Sequence, residues 1–201
     1  MTFPHLESST VELFRYTVAS ADMFYAELEQ RDVFVGSDES GHIRIWGETA
    51  NNNSSLKVDL CRVFLEYSLY CASWCNSAEA HYHMESFGER LGHRLASYLK
   101  QNPQLLTGEN PALGALECLF GSIGACYSTD HIEAGMRFLV TECPLEDAAK
   151  RLGVPNLELA RHGINAMCRR MLLDMSPALI VKTSPAASAQ FMFTLREAVA
   201  A

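Results

Sequence analysis

The chain has 201 residues, of which 48% are hydrophobic and 20% are charged, and its formal net charge is -8. This composition is typical of a globular domain with a sizeable core. The acidic balance, with no basic run longer than Arg169–Arg170, argues against nucleic-acid binding. No stretch predicts a membrane span or an export signal, so we expect a cytoplasmic protein with reduced cysteines.

The first fifty residues predict a helix followed by a β-hairpin. Ser9 and Glu12 have the spacing of a capping box, and apolar residues then recur every three or four positions to about Leu28. Alternating apolar residues on both sides of the polar segment 37–41 predict the hairpin. We interpret this apolar seam as the face of a helix that packs on the chain's own core. The alternative is that the helix pairs with a second copy in a homodimer.

The segment 47–55 predicts a linker, because glycine, asparagine and serine dominate it. It separates an N-terminal appendage, residues 1–50, from a main domain, residues 56–201. In the main domain we expect helices at about 56–75 and 78–100, an apolar helix within 111–127, a strand at 136–142, helices at 145–153 and 156–174, and strands at 178–183 and 190–197. The predicted class is α+β, a helix-rich body with a small mixed or antiparallel sheet.

Two glycines, Gly88 and Gly92, lie one turn apart on the apolar face of the helix at 78–100. Glycine costs a helix about 1 kcal/mol relative to alanine. A pair on the buried face therefore indicates close approach by another helix or by a ligand.

The stretch 71–85 carries the residues most easily taken for metal ligands. Cys71 and Cys75 share a helical face, as small apolar core residues would, and no second close cysteine pair completes a zinc site. His81 and His83 diverge by roughly 200 degrees on a helix, so they cannot easily share one ion. We favour a core face over a metal site for this stretch.

Cys143 is a candidate nucleophile. Pro144 favours the first position of a helix, which places Cys143 near the amides that stabilise a thiolate. His162 and His131 are candidate bases by residue type, but three neighbouring acids disfavour a further negative charge. A structural strand-to-helix junction is the favoured alternative.

Arginines near the C-terminal end of the chain offer one further candidate. Arg161, His162, Arg169 and Arg170 have the composition of a small anion-binding patch. A solvated helix face explains the same residues more simply.

Five segments between about residues 87 and 200 follow a recognisable order: "FGERLGHRLASYL", "TECP", "INAMCRRMLLDM", "ALIVKT" and "QFMFTLRE". This order of elements resembles the 4-vinyl-reductase domain and the aminothiazoline-carboxylate-hydrolase-like proteins. The closing strand departs from the pattern, because Met192 and Phe193 stand where these relatives tend to place a cysteine. The resemblance implies a small α+β domain around a mostly apolar pocket, and relatives that bind small hydrophobic molecules or act in tetrapyrrole or sulfur metabolism.

We therefore predict a domain that binds or senses a small, largely apolar molecule. A thiol-dependent hydrolase that uses Cys143 and a metal-binding protein are the alternatives, and no cofactor is identified. Glu117 could orient the ligand, although reaching solvent is the simpler explanation for an acid in an apolar helix. The other candidate ligand-binding residues, for each of which core packing is the competing explanation, are Tyr67, Tyr70, Trp74, Met84, Phe87, Gly88 and Phe120.

Overall fold

A computed structural model describes residues 60–133, 135–184 and 189–198 in full, and the backbone of strands at 34–37, 43–48 and 55–58. The predicted N-terminal helix and its apolar seam lie outside the described residues. The helices are α1 (Leu60–Trp74), α2 (Ser77–Gln101), α3 (Pro111–Ser122), α4 (Leu145–Leu152) and α5 (Glu158–Met175). The strands are β1 (Phe34–Ser37), β2 (Ile43–Glu48), β3 (Ser55–Val58), β4 (Cys126–Ile132), β5 (Gly135–Glu142), β6 (Leu179–Thr183) and β7 (Phe191–Glu197). The predicted α+β class, with a helix-rich body, is confirmed.

The predicted hairpin is confirmed and belongs to a three-stranded antiparallel sheet in the order β1–β2–β3. Strand β3 pairs with β2, with Leu56 opposite Gly47. The prediction that a helix begins at Leu56 is wrong, because that segment forms β3 and α1 begins at Leu60. Pairing with β2 supplies backbone hydrogen bonds that an isolated reading of the segment does not reveal.

Helices α1 and α2 meet at a sharp break that a side-chain cap defines. The Asn76 side chain accepts a hydrogen bond from the Glu79 backbone, and the Glu79 carboxylate accepts one from the Asn76 backbone, each at 3.0 Å. This reciprocal capping box satisfies amides at the start of α2. Helix α2 is therefore a separate helix of 25 residues.

Helices α2 and α5 make the most extensive contact between any two described elements. A Cβ atom added to Gly88 would overlap the Gly163 carbonyl oxygen, and one added to Gly92 would overlap the Met167 carbonyl oxygen. The same holds from the α5 side, where a Cβ on Gly163 would lie 2.8 Å from the Met84 methyl carbon. The helix alternative for the glycine pair is thus confirmed, because only residues without a side chain allow this approach.

The second sheet is antiparallel, in the order β4–β5–β7–β6, and includes the predicted strand at 136–142 and the predicted C-terminal hairpin. Its inner face packs on α3 through Phe120, whose ring centroid lies 5.8 Å from those of Phe138 and Phe191. The predicted apolar helix within 111–127 is confirmed as α3, but strand β4 begins inside that segment, at Cys126. Helix α3 ends at Ser122, and Gly124 adopts a positive φ of 75° where the chain turns into β4.

Helix α4 ends, and helix α5 begins, close to the positions that the sequence predicts. Gly153 closes α4 in the left-handed conformation with φ 68°. The Asn156 side chain accepts a hydrogen bond from the Glu158 backbone at the start of α5. Within the part of the chain that the structure describes, no helix combines the length and apolar character needed to cross a membrane.

Candidate functional site

Most of the predicted ligand-binding residues lie in the hydrophobic core. Tyr67, Met84, Phe87 and Phe120 are buried. The rings of Tyr67 and Phe87 are 4.8 Å apart between α1 and α2, whereas Phe120 packs against the sheet. Gly88 is covered by the backbone of α5. These residues are therefore packed against protein atoms, and their ligand role stays a prediction.

The other three predicted ligand-binding residues lie in different surroundings. Tyr70 is buried beside Tyr67, with ring centroids 6.1 Å apart, whereas Trp74 is 65% exposed at the end of α1. Glu117 accepts a hydrogen bond from the Thr107 hydroxyl, so a local polar partner accounts for an acid in this apolar helix. The predicted ligand-binding set is thus not gathered around one space.

The four candidate metal ligands do not form one cluster among the described residues. Burial raises the pKa of the Cys71 thiol to about 12, which disfavours the thiolate that binds metal. His81 faces His162 on α5, with ring centroids 5.1 Å apart, whereas the His83 ring lies against Tyr82. Among the described residues, no group of three or more His, Cys, Asp or Glu side chains is placed to hold a metal ion.

Cys143 lies just before α4, as predicted, but its thiol is enclosed. Cys143 is 7% exposed. The backbone carbonyl of the next residue, Pro144, accepts a hydrogen bond from the Ala148 backbone at the start of α4. Burial, with a smaller contribution from Cys143, raises the pKa of the neighbouring Cys168 thiol. Such surroundings leave Cys143 little access to a substrate, and its role as a nucleophile stays a prediction.

His162, the candidate base, belongs to an ion-pair network between α2 and α5. Its Nε2 lies 3.9 Å from a carboxylate oxygen of Glu85. Burial lowers the pKa of His162, while Glu85 opposes the shift and His81 and Arg169 add to it. Arg169 in turn donates to Glu85 at 2.7 Å. His162 therefore lies in the contact between α2 and α5.

A pocket of about 330 Å³ lies between α2 and α5, beside this network. Four of its lining residues come from α2 and form two pairs, and the two members of each pair are one helical turn apart. The fifth lining residue comes from α5. They are Glu89, Arg90, His93, Arg94 and Arg170. Three arginines thus surround one space in a chain whose net charge is -8. We call this space the α2–α5 pocket.

Asp174 fixes two of the groups at the α2–α5 pocket. Its carboxylate lies 2.7 Å from His93 Nδ1 and accepts a hydrogen bond from Arg170 Nε at 3.1 Å. Arg170 Nη2 lies 3.0 Å from the other carboxylate oxygen in an ion pair. Burial alone would raise the pKa of Asp174, but the hydrogen bonds from His93 and Arg170 outweigh burial and lower it. The carboxylate is therefore ionised near neutrality and holds both side chains in place.

Only Arg170 of the α2–α5 pocket is among the residues singled out from sequence, as part of the candidate anion patch. The structure pairs other members of that patch with acids, because Arg161 lies 2.9 Å from Glu146 and Arg169 pairs with Glu85 and Glu89. The signal in the sequence that could have identified the pocket is the four-residue spacing of Arg90 and Arg94, which places two cations on one side of α2.

Comparison with known proteins returns no match to a protein-family model, to a curated protein or to a solved structure.

Proposed function

We propose that this chain is a small-molecule-binding domain and that its ligand occupies the α2–α5 pocket. The single observation that carries the proposal is the pocket itself, a space of about 330 Å³ bounded by side chains of two helices in direct contact. Binding sites for small molecules commonly start at about 300 Å³ and are largely formed before the ligand arrives.

Two features support binding over packing alone. The lining consists of charged and titratable side chains, and three of the five are arginines in a chain whose net charge is -8. Main-chain contact between α2 and α5 also fixes the distance between the walls, so little conformational freedom is lost on binding. This lining favours a polar ligand, in contrast to the largely apolar ligand expected from the sequence.

The proposal is tested by closing the α2–α5 pocket. A panel of small molecules that includes acids, amines, phosphates and neutral compounds is screened by thermal shift, and binding is measured by native mass spectrometry. His93→Trp places a bulky ring at the pocket, and His131→Trp makes the same change at an exposed position on β4. We expect at least one ligand whose binding is lost in His93→Trp and retained in His131→Trp. If no compound shows that difference, the proposed function is wrong.

Two further predictions accompany this function. A homodimer, formed through the helix predicted from the N-terminal sequence, is tested by sedimentation equilibrium of the full chain. A cytoplasmic location is tested by fractionation of cells that express it. Neither is needed for binding at the α2–α5 pocket.

A further inference from the structure

We propose that the α2–α5 pocket recognises the phosphate group of a small molecule through Arg90 and Arg94 on α2 and Arg170 on α5. This inference rests on the proposed function, because it names the chemical class of the ligand for the same pocket.

The three arginines reach the pocket from two helices. Arg90 and Arg94 are four residues apart, so they lie above one another on the same side of α2. Arg170 enters from α5, which the glycine contacts hold against α2. A ligand in this space therefore meets guanidinium groups from more than one direction.

That arrangement suits a phosphate better than a carboxylate. A guanidinium group presents a planar fork of N–H donors that can bind two oxygens of an oxyanion. Arg170 directs Nε and Nη2 at Asp174 and has further N–H donors beyond these two. A phosphate monoester has three terminal oxygens in a tetrahedral arrangement, so donors from two helices can each reach an oxygen. A carboxylate has only two oxygens, which lie in one plane, so one or two guanidinium groups are enough to bind it.

The lining of the pocket carries three arginines against one carboxylate, that of Glu89. Glu89 accepts a hydrogen bond at 3.0 Å from Arg169, a cation outside the lining that it shares with Glu85. Asp174 binds His93 and Arg170 together. Arg170 is therefore held in one position before a ligand arrives, which reduces the entropy lost when phosphate binds.

The direct test is titration of inorganic phosphate into the full chain by isothermal calorimetry at neutral pH and constant ionic strength. We expect saturable binding that is weakened at least about tenfold by Arg94→Gln, since charge-assisted hydrogen bonds are lost. Arg94→Lys should fall between, because lysine keeps the charge but not the fork. Arg151→Gln is the matched control, as it removes an exposed arginine on α4 and should leave binding unchanged.

Arg170→Gln provides a second variant on the other helix and should also weaken phosphate binding. Circular dichroism and urea unfolding establish that each variant is folded. Acetate, titrated at the same ionic strength, should bind more weakly than phosphate to the wild-type chain.

Three results would overturn the phosphate inference: no saturable phosphate binding, equal loss of binding in Arg151→Gln and Arg94→Gln, or acetate binding as tightly as phosphate. These results are distinguishable from failure of the proposed function. A neutral compound or a carboxylate whose binding is blocked by His93→Trp would retain the small-molecule role while phosphate recognition is rejected.

Discussion

Gly88 on α2 and Gly163 on α5 are in main-chain contact, since a Cβ atom on Gly88 would overlap the carbonyl oxygen of Gly163. The backbone cannot move aside as a flexible side chain can. The separation of the two helices, and with it the position of Arg94 relative to Arg170, therefore depends on the absence of a side chain at these positions.

We expect Gly88→Ala to lower the free energy of unfolding by about 1–3 kcal/mol, the usual range for forcing extra atoms into a packed core. Gly121→Ala on α3 is the matched control. Its Cβ would lie 3.8 Å from the Tyr127 hydroxyl, and alanine favours the helix, so this variant should be neutral or more stable by up to about 1 kcal/mol. Urea unfolding measures both. Equal effects at the two sites would contradict the close packing of α2 on α5.

The Arg169 ion pairs should contribute little to stability. Arg169 donates to Glu85 at 2.7 Å and to Glu89 at 3.0 Å, but all three side chains are about 40% exposed. Solvent screening therefore limits the coupling between Arg169 and Glu85 to about 0.5–1 kcal/mol in a double-mutant cycle. The exposed pair Lys150–Asp147 should show no measurable coupling. A coupling in the first pair that persists in 1 M salt would argue against screening.

His162 should make the fold less stable in mild acid. Burial holds its pKa below the value near 6.5 expected for the unfolded chain, so the unfolded state binds more protons as the pH falls. The free energy of unfolding should therefore decrease as the pH falls through about 6.5 towards the lower, folded-state pKa. His162→Gln should reduce this decrease, and His131→Gln, exposed on β4, should not. NMR titration checks the pKa, and a His162 value above 6.5 would reverse the expected trend.

The thiols should differ widely in reactivity. Cys126 is exposed, whereas Cys71, Cys143 and Cys168 are buried, and burial raises the pKa of Cys71 and Cys168. Iodoacetamide at neutral pH should therefore label Cys126 first and the buried thiols only when urea unfolds the chain. Mass spectrometry of peptides identifies the sites, and Cys126→Ser should remove the earliest label. Rapid labelling of Cys143 in the folded chain would instead support the hydrolase alternative.

Local signals were sufficient to predict much of the helical body. The cap at Asn76, the positive φ of Gly153 and the four-residue recurrence of buried positions on α1 act over a few neighbouring residues. The same holds for the C-terminal hairpin, where every second residue of β7 from Phe191 to Leu195 is apolar and buried. Such features depend on backbone and side-chain geometry within one element.

Strands β3 and β4 were missed because their partners, not their own residues, determine their structure. β4 is an edge strand whose residues are mostly exposed, so it lacks the apolar alternation that identifies a half-buried strand. β3 has two apolar residues that fit a helix equally well, and only pairing with β2 decides between them. The candidate site was missed for a related reason, since Arg94 and Arg170 meet through helix packing across 76 positions of the sequence.

The width of the α2–α5 pocket and the charge of its lining depend on different residues of the two helices. The width is set by positions that have no side chain, while the residues that would meet a ligand project from other positions on the same helices. Substitutions at Arg90, Arg94 or Arg170 can therefore alter which charge is accepted without changing the distance between the helices. The same pair of helices could accordingly serve as a fixed frame for binding sites of different selectivity.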